Sequence, residues 1–539
     1  MSGLDRLLKV GSIAGSLGVY IPAVAAQKAM GLLRVLIFTY FLSKVEFGLW
    51  GLGMMIFNIA ALVVTLGSNN GLVRYVSHYE ARGRLEAFYR RARWVVLGLG
   101  LILTGVGLLG SEIITQLVFF SRDQAADVDH QRQLWICWAA IANGLFLALY
   151  HNMVSFMVGM RTYRLVAAIE LFFGLLFTAF GIAGLLIERN SLMVLFAHAA
   201  ALGVSLAVGM AMLHFSLKAL ARREPQDTPA PTCPQAVVME PATDGEQMTH
   251  LVPVPDAGVQ PGKSESERSV LKRLLGYGFA SLLATLSLQA VGYLSFFLTS
   301  RWQGKAEGGV FHAFWLLSQP ILVLANAAWA VIFTYAARHW ETDNRKMALF
   351  VLEMSYKAVA VSIMTLTIAV YVTSPLWVRL LGDAYRPGRG LLGGLLLFFA
   401  ITNHLALMTI LAKLYERPAV IALAAVAAGA ANWALAAWWM PAHGALGAAY
   451  AAGIGMYLGG GTVTLAYFLL KRVRFRPSTY FILGVPILLL LPAWAAAVAW
   501  GAMLLVAMGT TWIFSHQEKM LVRETVRNFR RSFSGQGSS

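Results

Sequence analysis

The chain has 539 residues, 58% hydrophobic and only 13% charged, with a mean hydropathy of +0.65. Soluble domains are about 45–50% apolar and about 25% charged, so an ordinary soluble protein is excluded, and domain counting by length with it. Lys and Arg number 43 against 26 acids, a net charge of +17, which in a membrane protein marks inside loops rather than a nucleic-acid partner. Cys137 and Cys233 are the only cysteines, too few for a disulfide framework or a four-ligand metal site.

In chain order, stretches long enough to cross about 30 Å of hydrocarbon lie at 14–42, 47–72, 94–120, 134–158, 165–187 and 192–217. They resume at 274–300, 309–337, 355–381, 390–414, 418–440 and 443–470. The last apolar block, 479–514, is too long for one crossing and contains Pro486 and Pro492. It reads as a hairpin turning near Trp494–Ala497. Met1–Val10 is a short basic lead-in, with no sign of a cleavable signal peptide.

The fold class is therefore all-α: a polytopic membrane protein of about 14 transmembrane helices. With the N-terminus inside, 32 of the 43 basic residues fall on the inner side, 9 outside and 2, Lys28 and Arg34, within the membrane. The positive-inside rule thus expects both termini on the cytoplasmic side. One outside loop, Arg379–Arg389, is discordantly basic.

Between Arg223 and Arg268 lie eight of the 17 prolines and eight acids, with Lys263 the single base. Such a segment cannot bury enough apolar surface to fold and reads as a disordered cytoplasmic linker. The expected domains are a six-helix lobe over 1–217, the linker at 218–270, a second six-helix lobe over 271–470, a short hairpin at 471–514 and a basic tail at 515–539. The halves are weakly alike: Phe41-Leu42-Ser43 precedes Gly48, and Phe297-Leu298-Thr299 precedes Gly309. Six spans per half give both the same orientation, a parallel repeat. In the tail, Val522, Val526, Phe529 and Phe533 share one helical face and arginines the other, which suits either a helix on the anionic inner leaflet or a plain solvated tail.

Three stretches carry a family resemblance. They are Gly31–Arg34 through Phe41–Gly48, Leu66-Gly67 through Gly71–Tyr75 with its basic loop, and Asn432 followed by Pro441-Ala-His-Gly444-Ala-Leu-Gly447-Ala448-Ala449. In order and spacing they resemble the polysaccharide-transporter (O-antigen-type flippase) branch of the multidrug/oligosaccharidyl-lipid/polysaccharide exporter superfamily. The long linker and the short, apolar last two spans depart from it. The resemblance implies a bacterial inner-membrane transporter that moves a lipid-linked anionic glycan, of the undecaprenyl pyrophosphate type, from the inner to the outer leaflet. It further implies two lobes around a cavity lined by the first, second, seventh and eighth spans. Membrane lipids and glycan-assembly proteins are the partners that go with that activity.

The intramembrane charges are the first candidate site. A cation at mid-bilayer costs at least about 2.5–3.5 kcal/mol on insertion scales, so Lys28 should face a cavity or a partner. Arg34 faces one too or snorkels to the outer interface. Gln27 lies seven residues before Arg34 and shares its helical face. A pyrophosphate suits such donors, arginine by two-point contact and lysine as a point charge. Arg74 reads as a capture residue at the inward mouth or as a topology anchor. Gln289, Tyr293, Gln319 and Asn326 either bind sugar hydroxyls or bond neighbouring helices. Glu170 is the candidate carboxylate for ion coupling, with a salt bridge to Arg161 or Arg164 as the competing reading. His151, His198, His312 and His404 fall singly on different spans and spell no metal cluster. With no Walker loop, nucleotide fingerprint or nucleophile elbow in the sequence, neither a cofactor nor an enzymatic activity is expected. The rival functions are a drug/cation antiporter of the same superfamily and a membrane enzyme acting on lipid-linked glycans. Catalytic acids on a sizeable outside loop would mark the enzyme, and every outside loop here is short.

Overall fold

A computed structural model describes residues 13–66, 85–120, 129–160, 162–222, 267–341, 344–415, 419–516 and 518–520, with isolated positions 72, 76, 79 and 417. The expected linker and the amphipathic stretch beyond 520 lie outside the described residues. The first lobe holds α1 (Ile13–Phe41), α2 (Lys44–Thr65), α3 (Leu85–Leu109, continued by Ser111–Phe119), α4 (His130–Gly159), α5 (Tyr163–Ile187) and α6 (Ser191–Arg222). The second holds α7 (Glu267–Trp302), α8 (Lys305–Glu341), α9 (Arg345–Val372) and α10 (Leu391–His404, continued by Ala406–Leu414). It ends in one run, Ala419–Gly455, followed by a π-helical turn at Met456–Gly461 and Thr462–Leu470. We call the part before Gly444 α11 and the part after it α12.

Among the described residues, ten helical runs are long and apolar enough to cross a membrane, and the chain is a multi-pass membrane protein. Ala419–Leu470 spans 52 residues, enough for two crossings. It breaks at Gly444, three residues after Pro441, where φ is 56° and ψ −138°; only glycine takes that conformation without a Cβ penalty. The helix α8 adds a further element of crossing length, 37 residues.

The hairpin turns earlier than the sequence suggested. α13 (Pro477–Gly484, continued as a 3-10 turn to Leu490) ends at Leu491, and α14 runs Ala493–Gly509. Pro492 is the cause: it clashes with a helical residue before it, and Leu491 accordingly sits extended at φ −80°, ψ 157°. At 17 residues α14 reaches only about 26 Å, short of a full crossing.

The repeat seen faintly in sequence is plain in the packing. In the first lobe α1 lies on α5, α2 on α4 and α3 on α4; in the second, α7 lies on α11, α8 on α10 and α9 on α10. Glu46, in the first turn of α2, ties the outer ends of three helices. Its carboxylate holds Arg132 of α4 at 2.9 Å and accepts the backbone N–H of Ser191, at the start of α6, at 2.7 Å.

The lobes meet at the helix ends that charge counting places outside. A Cβ on Gly48 would lie 2.2 Å from the Lys305 carbonyl oxygen, and one on Gly309 1.9 Å from that of Lys44. The two backbones touch there because neither residue has a side chain. Arg301 reinforces the closure from α7 by donating to the Leu117 carbonyl of the first lobe at 3.2 Å, beside the Phe120 ring.

A buried ion network fastens the hairpin to the second lobe. The Lys357 ammonium, with no exposed side-chain surface, lies 3.3 Å from Glu518 and 3.5 Å from Glu353. Glu353 also accepts from the Arg476 backbone N–H and the Thr479 hydroxyl, and Glu518 from the Ser515 N–H. Lys357→Met leaves Glu518 with Arg476, 3.6 Å away, as its remaining cation and Glu353 with its two hydrogen bonds, and breaking a buried pair from one side costs up to about 3–5 kcal/mol. We expect a lower unfolding temperature in detergent and faster tryptic cleavage near 515–520; an unchanged protein on both measures would remove the anchor.

Candidate functional site

The polar residues of the first lobe converge from three directions. α1 carries Gln27, Lys28 and Arg34 over two turns; Gln27 and Arg34, seven apart, share a face, and Lys28 stands about 120° from Arg34, so the three form a wide polar arc. Gln27 packs on α5 where Gly174 leaves room, its Cγ 3.8 Å from where a Cβ would stand. Lys28 is in electrostatic reach of both Glu170 on α5 and Arg34 on its own helix. Glu170 feels the charge of Lys28, and Arg161 lies outside the described residues. A lysine on one span and a carboxylate on another offset each other's cost in a medium that solvates neither.

Arg34 does not simply snorkel. Its guanidinium carbon sits 4.2 Å over the ring of Phe177 on α5, and its Nε is buried without a hydrogen-bond partner. Stacking on an aromatic face holds the planar group and leaves its donors available. Behind it stands His198 of α6, whose Nδ1 bonds the Asn143 side-chain oxygen at 2.9 Å. Asn143 is itself fixed by donating to the Leu195 carbonyl at 3.0 Å. The imidazole stacks on Phe57 at 4.7 Å and stands edge-on to Phe177 at 4.8 Å. His151 and His198, isolated in sequence, interact electrostatically here, and His198 also feels Arg34. Among the described residues no three His, Cys, Asp or Glu are placed to hold a metal ion.

Lys28 also borders a cavity of about 240 Å³ between the lobes. Its walls are apolar: Leu32 from α1, Pro320 and Ile321 from α8, Leu366 from α9, and Trp377 from the short helix Ser374–Leu381. An ammonium at the edge of an otherwise apolar crevice is an arrangement for a molecule with an anionic head and a hydrocarbon body.

The remaining sequence candidates are scattered. Arg74 lies outside the described residues. Gln289 on α7 is half-buried and Asn326 on α8 is exposed, and neither joins the first-lobe group. Tyr293 is engaged by a neighbouring helix: Asn58 of α2 donates to its hydroxyl at 3.1 Å across the lobe interface. Sequence reasoning missed Asn58, Asn143 and Phe177. The two asparagines had a signal, being lone amides in apolar spans, whereas Phe177 had none among the chain's 30 phenylalanines.

No family profile matches the sequence, and no curated protein is similar to it. Solved structures do resemble it. A MOP superfamily transporter from Pyrococcus furiosus is 15% identical, with a TM-score of 0.58, over 88% of this chain and 98% of that one. A MATE protein in complex with MaL6 is 14% identical, with a TM-score of 0.57, over 88% and 100%. An inward-facing multidrug resistance MATE family transporter of the same superfamily is 13% identical, with a TM-score of 0.52, over 88% and 99%. At such low identity the likeness speaks of architecture: the chain has the fold of the MOP superfamily transporters.

Proposed function

We propose that this protein is a membrane transporter that moves a lipid-linked oligosaccharide or polysaccharide precursor from the inner to the outer leaflet by alternating access. The observation that carries the reading is Lys28, a cation on the rim of an apolar crevice between the lobes, with Arg34 held on Phe177 less than two turns further along α1. A pyrophosphate fits the two cations, and a polyprenyl chain fits the crevice. Gln27 supplies a further donor on the same helix, and Gln289 and Asn326 are candidate partners for sugar hydroxyls from the second lobe. Arg74 remains the candidate for first capture at the inner mouth. Glu170 tunes Lys28 and is the candidate coupling carboxylate. Support for transport itself comes from the fold, which the multidrug transporters share.

An antiporter of drugs and cations would present an unmatched carboxylate to its cargo. Here Glu170 has Lys28 opposite it, and the net charge of the first-lobe group is positive. A precedent for variation within the fold is the Pyrococcus furiosus transporter, whose reversed pocket polarity is described as suggesting a different function.

The test uses purified protein in liposomes that hold a fluorescent oligosaccharide on a polyprenyl pyrophosphate. The label's exposure to an impermeant quencher is followed in time. We expect the protein to speed passage between leaflets and the same lipid without its pyrophosphate to move slowly. Uptake of an organic cation with no movement of the lipid would replace this reading by the antiporter.

A further inference from the structure

One buried histidine belongs to none of this. His312 lies on α8, three residues past Gly309, on the closed outer seam. It is 1% exposed, and neither ring nitrogen has a hydrogen-bond partner. Phe296 of α7 stands 5.0 Å from its ring, and Trp50 and Phe47 of α2 stand at 5.6 and 5.7 Å. A Cβ on Gly51 would come within 2.8 Å of the imidazole. The ring is therefore clamped between the lobes by hydrocarbon alone.

An imidazole always carries at least one N–H, and a buried donor without an acceptor is unfavourable. A phenylalanine would fill this space with no such loss. The charged groups on the surrounding elements are engaged elsewhere. Glu46 is held by Arg132 and the Ser191 N–H, and Arg301 by the Leu117 carbonyl. Lys305 has an interaction of its own, and Lys44 meets the seam with its carbonyl oxygen. Tyr385, from the 3-10 segment Asp383–Gly390, packs its ring on Phe47. Among the described residues no acceptor bonds either ring nitrogen, the buried Tyr385 hydroxyl being itself unpartnered, and the attraction of the three rings would not replace both lost hydrogen bonds.

We propose that His312 is a proton-binding site on the outer seam, filled when the lobes part and emptied before they close. Once α2 and α8 separate, water reaches both nitrogens, and a hydrated imidazole titrates near about 6.5. The proton binds the open seam and is refused by the closed one. Linkage fixes the sign: below about pH 6.5 each further unit shifts the balance toward the open seam by up to about tenfold, and well above it the effect vanishes. An acidic outer face would thus hold the transporter open outward until the proton leaves. The inference rests on the outer ends of α2 and α8 separating during the cycle, and not on the nature of the cargo.

The test is a distance measurement between spin labels at Glu188→Cys in the first lobe and Glu307→Cys in the second, both exposed in the closed state. Cys137→Ala and Cys233→Ser remove the native thiols from the full chain, which is held in lipid nanodiscs. Between pH 8 and pH 5.5 we expect a longer distance to gain population by about tenfold. With His312→Phe the short distance should persist at every pH, and with His312→Gln the distribution should be independent of pH, wherever its balance lies. Should His312→Phe fail to fold, His312→Gln carries the test alone. A wild-type distribution that ignores pH, or a full pH response in either variant, overturns the proposal. Loss of the glycan reading would leave these distances untouched, so the two conclusions fail separately.

Discussion

Lys28→Ala should lower export at least about tenfold per copy of inserted protein, the effect of losing one charge-assisted hydrogen bond worth about 1.5–3 kcal/mol. The substitution also removes a mid-membrane insertion penalty of about 2.5–3.5 kcal/mol but leaves Glu170 without the cation that it faces. The amount of folded protein therefore reports the sum of two opposed changes. The double variant Lys28→Met with Glu170→Gln separates them, because it neutralises both partners together. If Lys28 serves only as the counter-charge of Glu170, the double variant restores the protein and exports as much as Glu170→Gln alone. If Lys28 holds the anionic head group, it restores the protein but exports less than Glu170→Gln alone. We expect the second result. Arg34→Lys should fall between, because an ammonium stacks poorly on Phe177 and makes no planar two-point contact with a phosphate. Surface glycan divided by immunoblotted protein is the readout, and as much glycan from the double variant as from Glu170→Gln alone would sink the cation reading.

Gly309→Ala should have an effect of similar size by a different route. Its methyl group would lie 1.9 Å from the Lys44 carbonyl and 3.0 Å from the Gly48 nitrogen. Both contacts are backbone, so no side chain can swing away. The closed seam would be penalised by about 1–3 kcal/mol, the usual cost of overpacking, while each lobe keeps its own core. The protein should insert normally, hold its outer face open and lose export. A cysteine at Val310, 1% exposed in the closed seam, should become reactive toward an impermeant maleimide. Gly105→Ala is the control, since nothing lies within 4 Å of a Cβ there. Full export by Gly309→Ala would mean that the lobes do not need to close at this point.

Much of this architecture is legible from hydropathy, because a crossing helix needs about 20 apolar residues and shows them in one block. The twelve long helices among the described residues come from that pattern. The turn after α13 falls a few residues before Trp494–Ala497, because Pro492 dictates the break. The candidate site was half legible. Lys28, Arg34 and Glu170 stand out because charges in apolar spans are costly. The nearness of Lys28 to Glu170 did not, since the two lie 142 residues apart and the packing of α1 on α5 brings them together. The same holds for His198, Asn143 and Phe177, which form a setting for Arg34 through contacts with no sequence periodicity. The glycine clasp was visible as a faint likeness between two motifs, whereas its meaning depends on a backbone approach that sequence does not encode locally.

The ion network around Lys357 has a practical corollary. By locking Glu518 to α9, it makes the last helices passengers of the second lobe, while Ile13 opens α1 on the first. The first and last described residues are therefore carried by different lobes. With both ends on the side that charge counting places inside, a donor fluorophore near residue 13 and an acceptor near residue 520 would form a ruler between the lobes, lengthening and shortening with each turnover. Such a sensor requires no label inside the membrane and no alteration of the cationic group, so single molecules could be watched while they work.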